Sequence, residues 1–297
     1  MSDHPTGADP VIVGFDGSDS AMQAVCWAAR EAEDRGIPLS IVYATALDSV
    51  RVPAGVPLPR PYHQAVLEIG QQYLAEATAA AEAAAPKVEI DTRLSHTRAA
   101  PALIGLSSQA QEIVVGSRGL GGFTGLLVGS TAVALAAHGH CPLVVVRGTR
   151  LDGPPGPVVV GVDGSPESSA ATAFAFQAAA RRGAPVVAVH AWLDTVVESA
   201  WQRATTGADR PHEADEQQQW LTEQLAPHRA QHPDVDVRHR VVLHGPARAL
   251  LHEAAGAQLV VVGSRGHGGF RGLLLGSTSQ ALIQHSPCPV AVVPARR

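Results

Sequence analysis

The stretch G-S-R-G-L-G-G-F-T-G-L-L-V-G-S-T, Gly116 to Thr131, follows directly on the apolar run Ile113 to Val115 and carries six glycines in sixteen residues. It returns 147 residues later as G-S-R-G-H-G-G-F-R-G-L-L-L-G-S-T, Gly263 to Thr278, with 13 of the 16 positions identical, which sets the register of an internal repeat. Two more pairs keep that offset. V-I-V-G-F-D-G-S at Val11 to Ser18 matches V-V-V-G-V-D-G-S at Val158 to Ser165, and H-C-P-L-V-V-V at His140 to Val146 matches P-C-P-V-A-V-V at Pro287 to Val293. One period shared by three separated motifs makes the chain two homologous halves, 1–150 and 151–297, each the size of an ordinary domain. The seam R-G-T-R-L-D-G-P-P-G-P, Arg147 to Pro157, has the glycines and prolines of an exposed linker.

Within the first half, short β-branched runs alternate with helical patterns. Strands are expected at Val11 to Phe15, Leu39 to Ala44, Val88 to Leu94, Glu112 to Val115 and Leu143 to Val146. Between them fall a helix at Ser18 to Arg35 with Ala21, Ala24, Val25, Ala28 and Ala29 on one face, an Ala-rich helix near His63 to Ala85, a short helix around Ala100 to Gln109, and one at Ser130 to His138. Five strands joined by helical crossovers give a parallel sheet with helices on both faces, an α/β architecture present twice. Ser165-Pro166 supports the register in the second half, as N-cap and N1 of its first helix. Ligands of such sheets bind at the carboxyl ends of the strands where the strand order reverses. That rule places Asp16 with Gly116 on one rim, and Asp163 with Gly263 on another.

Composition excludes several classes of function. With 45% hydrophobic residues and a mean hydropathy of +0.07 the chain reads as soluble and globular. A net charge of -5 and a pI near 6.3 leave no basic stripe for nucleic acid. The start M-S-D-H-P-T-G-A-D-P has neither a cationic nor an apolar leader region, and no run approaches the length of a membrane span, so a cytoplasmic protein is expected. Cys26, Cys141 and Cys288 show no C-x-x-C spacing and read as small buried hydrophobes. Lys87 is the single lysine and lies far from any glycine loop, which rules out a Walker A site, a lysine Schiff base and kinases built on a phosphate-pairing lysine.

The loop itself reads as a polyphosphate cradle. Gly116 and Gly119 give a tight turn whose amides approach an anion closely. Gly129, Ser130 and Thr131 add N–H groups and hydroxyls at a helix N-terminus, where the macrodipole favours negative charge. Without lysine, phosphate charge falls to these amides, to Arg118 and to a divalent cation. Asp16 is suited to accept from ribose hydroxyls or to hold that cation as Mg²⁺, and Gly14 leaves room for a nucleoside. Ser117 and Gly121 complete the first loop. The second set is Gly161, Asp163, Gly263, Ser264, Arg265, Gly266, Gly268, Gly276, Ser277 and Thr278, with His267 in place of Leu120.

G-S-R-G-x9-G-S, preceded by V-G-F-D-G-S and closed by H-C-P-L-V-V-V, resembles the universal stress protein family in the tandem-domain form found in actinobacteria. The resemblance spans nearly the whole chain, twice. It implies two Rossmann-like domains of the adenine nucleotide alpha hydrolase-like type, and ATP bound at Gly116, Gly119, Gly129 and Ser130 and at Gly263, Gly266, Gly276 and Ser277. It further implies that Asp16 or Asp163 contacts the nucleotide, that adenine meets Ala44 or Ala191, and that the last strands pair domains edge to edge as a pseudo-dimer, with dimerisation of the chain in reach. Residues 50–64 and 197–212 differ between the halves and supply no motif.

Other groups read more plainly. His228 and His232 have a helical metal spacing but no adjacent Glu, and read as a solvated surface pair. Trp192, where the first half has Thr45, either flanks the adenine or packs. No nucleophile and base stand out, so the leading function is a non-catalytic, nucleotide-dependent regulator acting on an unidentified protein partner in stress or growth arrest. The alternatives are a slow Mg²⁺-dependent ATPase or phosphotransferase built on Asp16 and Asp163, and a ligand-free scaffold.

Overall fold

A computed structural model describes residues 8–49, 59–119, 129–148, 156–192, 210–243, 245–267 and 274–295. Leu120, Gly121 and Gly268 lie outside the described residues, as do most of the two variable segments. The chain divides into two compact units, Met1–Arg147 and Gly148–Arg297.

The first unit runs β1 (Val11–Phe15), α1 (Asp19–Arg35), β2 (Leu39–Ala44), α2 (Arg60–Ala84), β3 (Ile90–Ser95), α3 (Ala99–Leu106), β4 (Glu112–Gly116), α4 (Ser130–His138), β5 (Leu143–Val146). The second repeats it as β6 (Val158–Gly161), α5 (Pro166–Arg182), β7 (Val186–Ala191), α6 (Arg210–Gln231), β8 (Val237–Val242), α7 (Pro246–Ala254), β9 (Leu259–Gly263), α8 (Ser277–His285), β10 (Val290–Val293). Strand order is β3-β2-β1-β4-β5 in one and β8-β7-β6-β9-β10 in the other. Every strand pair described within a unit is parallel, so each is the expected α/β sheet with helical crossovers. The order reverses between β1 and β4, and between β6 and β9.

Continuous apolar runs form the central strands because helices cover both faces. Val11, Val13, Val114, Val144 and Val145 are fully buried, as are Val158, Val159, Val160, Val260 and Val261. Each such side chain contributes about 1.5–3 kcal/mol of hydrophobic stabilisation. The edge strands differ. β3 and β8 carry Asp91, Arg93, Arg238 and Arg240, charges that discourage pairing with foreign strands. β3 begins at Ile90, two residues later than the apolar pattern suggests, because Pro86 and Lys87 form a turn that brings Glu89 O to Leu39 N (2.8 Å). The helix expected to Gln109 ends at Leu106 and tightens into a 3₁₀ turn, with Ser107 Oγ donating to Ile104 O (2.7 Å).

Candidate functional site

β1 and β6 end in the same Asp-Gly-Ser turn. Gly17 and Gly164 take φ of +88° and +82°, values that L side chains rarely adopt. Asp16 Oδ1 accepts from Ser18 N (3.1 Å) and Ser18 Oγ (2.7 Å), and Ser18 Oγ accepts from Ala21 N (3.2 Å) as the N-cap of α1. The second turn matches it: Asp163 Oδ1 accepts from Ser165 N (2.9 Å) and Oγ (2.6 Å), and Ser165 Oγ caps Ser168 N (3.1 Å). Each aspartate's other oxygen faces the glycine loop. Oδ2 of Asp163 accepts from the His267 amide (3.2 Å) and lies against Gly266, as Asp16 Oδ2 lies against Gly119. In the second unit the carboxylate therefore ties the first βα turn to the loop after the fourth strand.

The loop glycines have separate reasons. A Cβ on Gly116 would stand 2.6 Å from Ser20 C, and one on Gly263 would stand 2.7 Å from Glu167 Cβ, so the start of the first helix in each unit requires them. A Cβ on Gly119 or Gly266 would press on the carboxylate of Asp16 or Asp163. A Cβ on Gly14 would meet Leu103 Cδ1 at 2.9 Å, and one on Gly161 would meet Leu250 Cδ1 at 3.1 Å, so each glycine also makes room for a leucine of α3 or α7. Gly129 is different. Among the described residues an added Cβ meets nothing within 4 Å, and at Gly276 it meets only ordinary contacts from 3.4 Å.

Gly129 and Gly276 are also the N-caps of α4 and α8, with no side-chain cap, whereas serines cap α1 and α5. Their own amides are used: Gly129 N donates to Ser117 O (3.2 Å) and Gly276 N to Ser264 O (2.9 Å). The expectation of three available amides thus narrows to Ser130 and Thr131, and to Ser277 and Thr278. Ser117 and Ser264 are buried behind the loop, with Ser117 Oγ 3.3 Å from Ser20 Oγ, so their side chains support it rather than line it. The loop arginines differ. Arg118 N donates to Ser20 Oγ (3.3 Å), while Arg265 Nη2 lies 3.4 Å from Glu167 Oε1.

In the second unit these residues open into a cleft of about 810 Å³ at the carboxyl rim, within the range of small-molecule sites. Gly161, Asp163, Ala191, Gly263, Arg265, Gly266, Gly276, Ser277 and Thr278 line it together. Trp192 lines it as well, beside Ala191. Ala44 occupies the matching end of β2, paired with Ser95. The sequence reading missed His190, Gln217, Trp220 and Arg248 on the same wall. A signal existed: Tyr43 and Tyr73, whose rings lie 5.3 Å apart, occupy the positions of His190 and Trp220, whose rings lie 4.3 Å apart.

The model of the universal stress protein family matches residues 7–147 and again 156–294. The chain belongs to the universal stress protein family. The universal stress protein Rv2623 of Mycobacterium tuberculosis is 39% identical over 288 residues, covering 95% of each chain. Universal stress protein Rv2005c of the same organism is 38% identical over 290 residues, covering 95% of this chain and 96% of its own. A universal stress protein structure from Archaeoglobus fulgidus has a TM-score of 0.67 at 18% identity, covering 98% of this chain and 99% of its own, and shows the shared fold.

Each rim of this universal stress protein offers one aspartate, Asp16 or Asp163, whose Oδ1 accepts within its own turn; a Mg²⁺ there would take its remaining ligands from phosphate and water. Among the described residues no group of three or more His, Cys, Asp and Glu side chains is placed to hold a metal. Among those residues, too, no helix is long and apolar enough to cross a membrane. His228 and His232 are not a solvated pair. Their rings lie 5.6 Å and 6.2 Å from that of Phe176, and both side chains are half-buried. Cys141 and Cys288 are buried; burial first, then Glu112, pushes the Cys141 thiol up to about 12, an inert group. Cys26 is only half-buried.

Proposed function

We propose that each half, 1–150 and 151–297, binds one adenine nucleotide, ATP, and that the protein is a nucleotide-dependent regulator of an unidentified protein partner in stress or growth arrest. The observation that supports the reading is the pairing of the second-half cleft with a helix start whose N-cap, Gly276, has no side chain to cap it. In that cleft the amides and hydroxyls of Ser277 and Thr278 meet the phosphates at the positive end of α8. Arg265 supplies the positive charge that lysine supplies in other nucleotide sites. Asp163 holds the loop in shape and presents its carboxylate beside the ribose. Ser130, Thr131, Arg118 and Asp16 take the same parts in the first half.

Regulation suits this arrangement better than turnover. Polarising a water needs an uncommitted base, and each rim aspartate already accepts two hydrogen bonds at Oδ1.

Gly129 and Gly276 give a clean test, because the described residues around them accept a side chain and their extended backbone suits one. Gly129→Val and Gly276→Val are expected to leave folding intact while each removes one ATP per chain in calorimetry. Two ATP per chain in the double variant, or no nucleotide released from the purified wild-type protein and no ATP-induced rise in Tm, overturns the reading.

A further inference from the structure

The arginine of the second glycine loop is held in a way that the first half does not share. Arg265 lines the cleft with its side chain 58% exposed, and its Nη2 lies 3.4 Å from Glu167 Oε1. Glu167 is only 13% exposed and stands in the first turn of α5, where the positive end of the helix favours a carboxylate. Its stem is wedged against the start of the loop, since a Cβ on Gly263 would stand 2.7 Å from Glu167 Cβ. The carboxylate is therefore the fixed member of the pair, and the guanidinium is the one able to leave it.

The counterpart of Glu167, 147 residues earlier, is Ser20. Its hydroxyl accepts from the Arg118 amide (3.3 Å) and lies 3.3 Å from Ser117 Oγ. In the first half this position thus holds the loop through its backbone and carries no charge. Asp19, the acid in the first turn of α1, is exposed, and among the described residues it makes no ion pair with Arg118.

An ion pair beside an anion site can act in either direction: it can hold the arginine ready, or it can occupy the charge that the anion would meet. The geometry favours the second. One contact at 3.4 Å to an exposed guanidinium is not the short, forked pairing that fixes an arginine in place. A full negative charge beside that guanidinium nevertheless offsets its pull on an anion in the cleft.

We propose that Glu167 competes with the phosphate chain for Arg265, so that a nucleotide fills the second site by breaking this pair. The inference rests on the nucleotide reading of the cleft and adds regulation to it. Phosphate arriving at the start of α8 draws the guanidinium off Glu167, and its departure lets the pair re-form. Glu167 acts through Arg265 and holds down the phosphate affinity of the second site, a control that Ser20 cannot exert in the first.

The test titrates the full chain with ATP and with adenosine. Calorimetry counts all sites, while fluorescence of Trp220 reports the second-half cleft that it lines. Glu167→Gln keeps the size of the side chain and removes its charge, and is expected to tighten ATP at that site about threefold to tenfold at low salt. The gain shrinks at high salt, where exposed charges are screened. Adenosine, which brings no charge to the pair, changes by less than about twofold. In an Arg265→Gln background most of the gain disappears. Unchanged or weaker ATP binding by Glu167→Gln, an equal shift for adenosine, or the full gain without Arg265 overturns the proposal while nucleotide binding stands. Neither heat nor a fluorescence change when ATP is added to the wild-type protein defeats both.

Discussion

The two halves are alike at the carboxyl rim of their sheets and unlike at the amino end. At the rim the Asp-Gly-Ser turn and the capping serine recur with nearly the same distances. At the amino end the first half buries an ionic trio. Arg35 Nε lies 2.6 Å from Glu31 Oε1 and its Nη2 2.8 Å from Glu112 Oε2, with Glu112 fully buried. The second half has Ala178, Arg182 and Leu259 at those positions, with Leu259 in the core and Arg182 donating to Ala178 O (3.3 Å). The same sheet accepts an ionic or an apolar solution where it only has to pack. Its geometry repeats closely where the loop has to be shaped.

The largest effect expected from that comparison comes from breaking the trio. Burial pulls the Arg35 guanidinium down, yet the charges of Glu112 and Glu31 outweigh it and its pKa is raised. Arg35→Met leaves two buried carboxylates short of their common cation, and is expected to cost the first half about 3–5 kcal/mol in chemical denaturation. Glu112→Leu, which installs the second half's residue, costs far less because Arg35 keeps Glu31. Equal losses for the two variants would show that the trio is not coupled.

The rim gives a smaller and more symmetrical effect. Gly17→Ala and Gly164→Ala each place a Cβ at positive φ, 2.9 Å from the Tyr73 ring and 3.0 Å from the Trp220 ring. Each is expected to cost roughly 1–3 kcal/mol, with the two halves within a factor of two of each other. A loss in one half alone, read from the two unfolding transitions, would break the equivalence of the rims.

Much of this frame was legible in the sequence because it is local or periodic. The 147-residue repeat, the apolar strands and the cap Ser165 depend on neighbours along the chain. The partners of the glycines were not legible. Gly116 is required by Ser20 and Gly14 by Leu103, contacts made only when distant segments meet across the sheet. The His190–Gln217–Trp220 wall was hidden for a related reason. It joins β7 to a helix twenty residues away, and its residue types change between the halves, so motif matching passes over it.

The smallest expected effect separates the halves by pH. His228 and His232 pack on Phe176, where the first half has Ala81, Ala85 and Ala29 and nothing to titrate. Burial, then the neighbouring His232, lowers the pKa of His228 from 6.5. His239, where the first half has Thr92, is lowered by burial and then by Arg229. A histidine whose folded pKa lies below its unfolded value binds protons more readily in the unfolded chain. Its contribution is complete above about pH 6.5 and is lost as pH falls from there toward the folded value. The second half should therefore lose stability relative to the first between about pH 7 and pH 5, and His228→Leu with His239→Thr should flatten that slope. The measurement is the Tm of each transition against pH. A steeper fall in the first half, or an unchanged slope in the double variant, would assign the acid response to other groups.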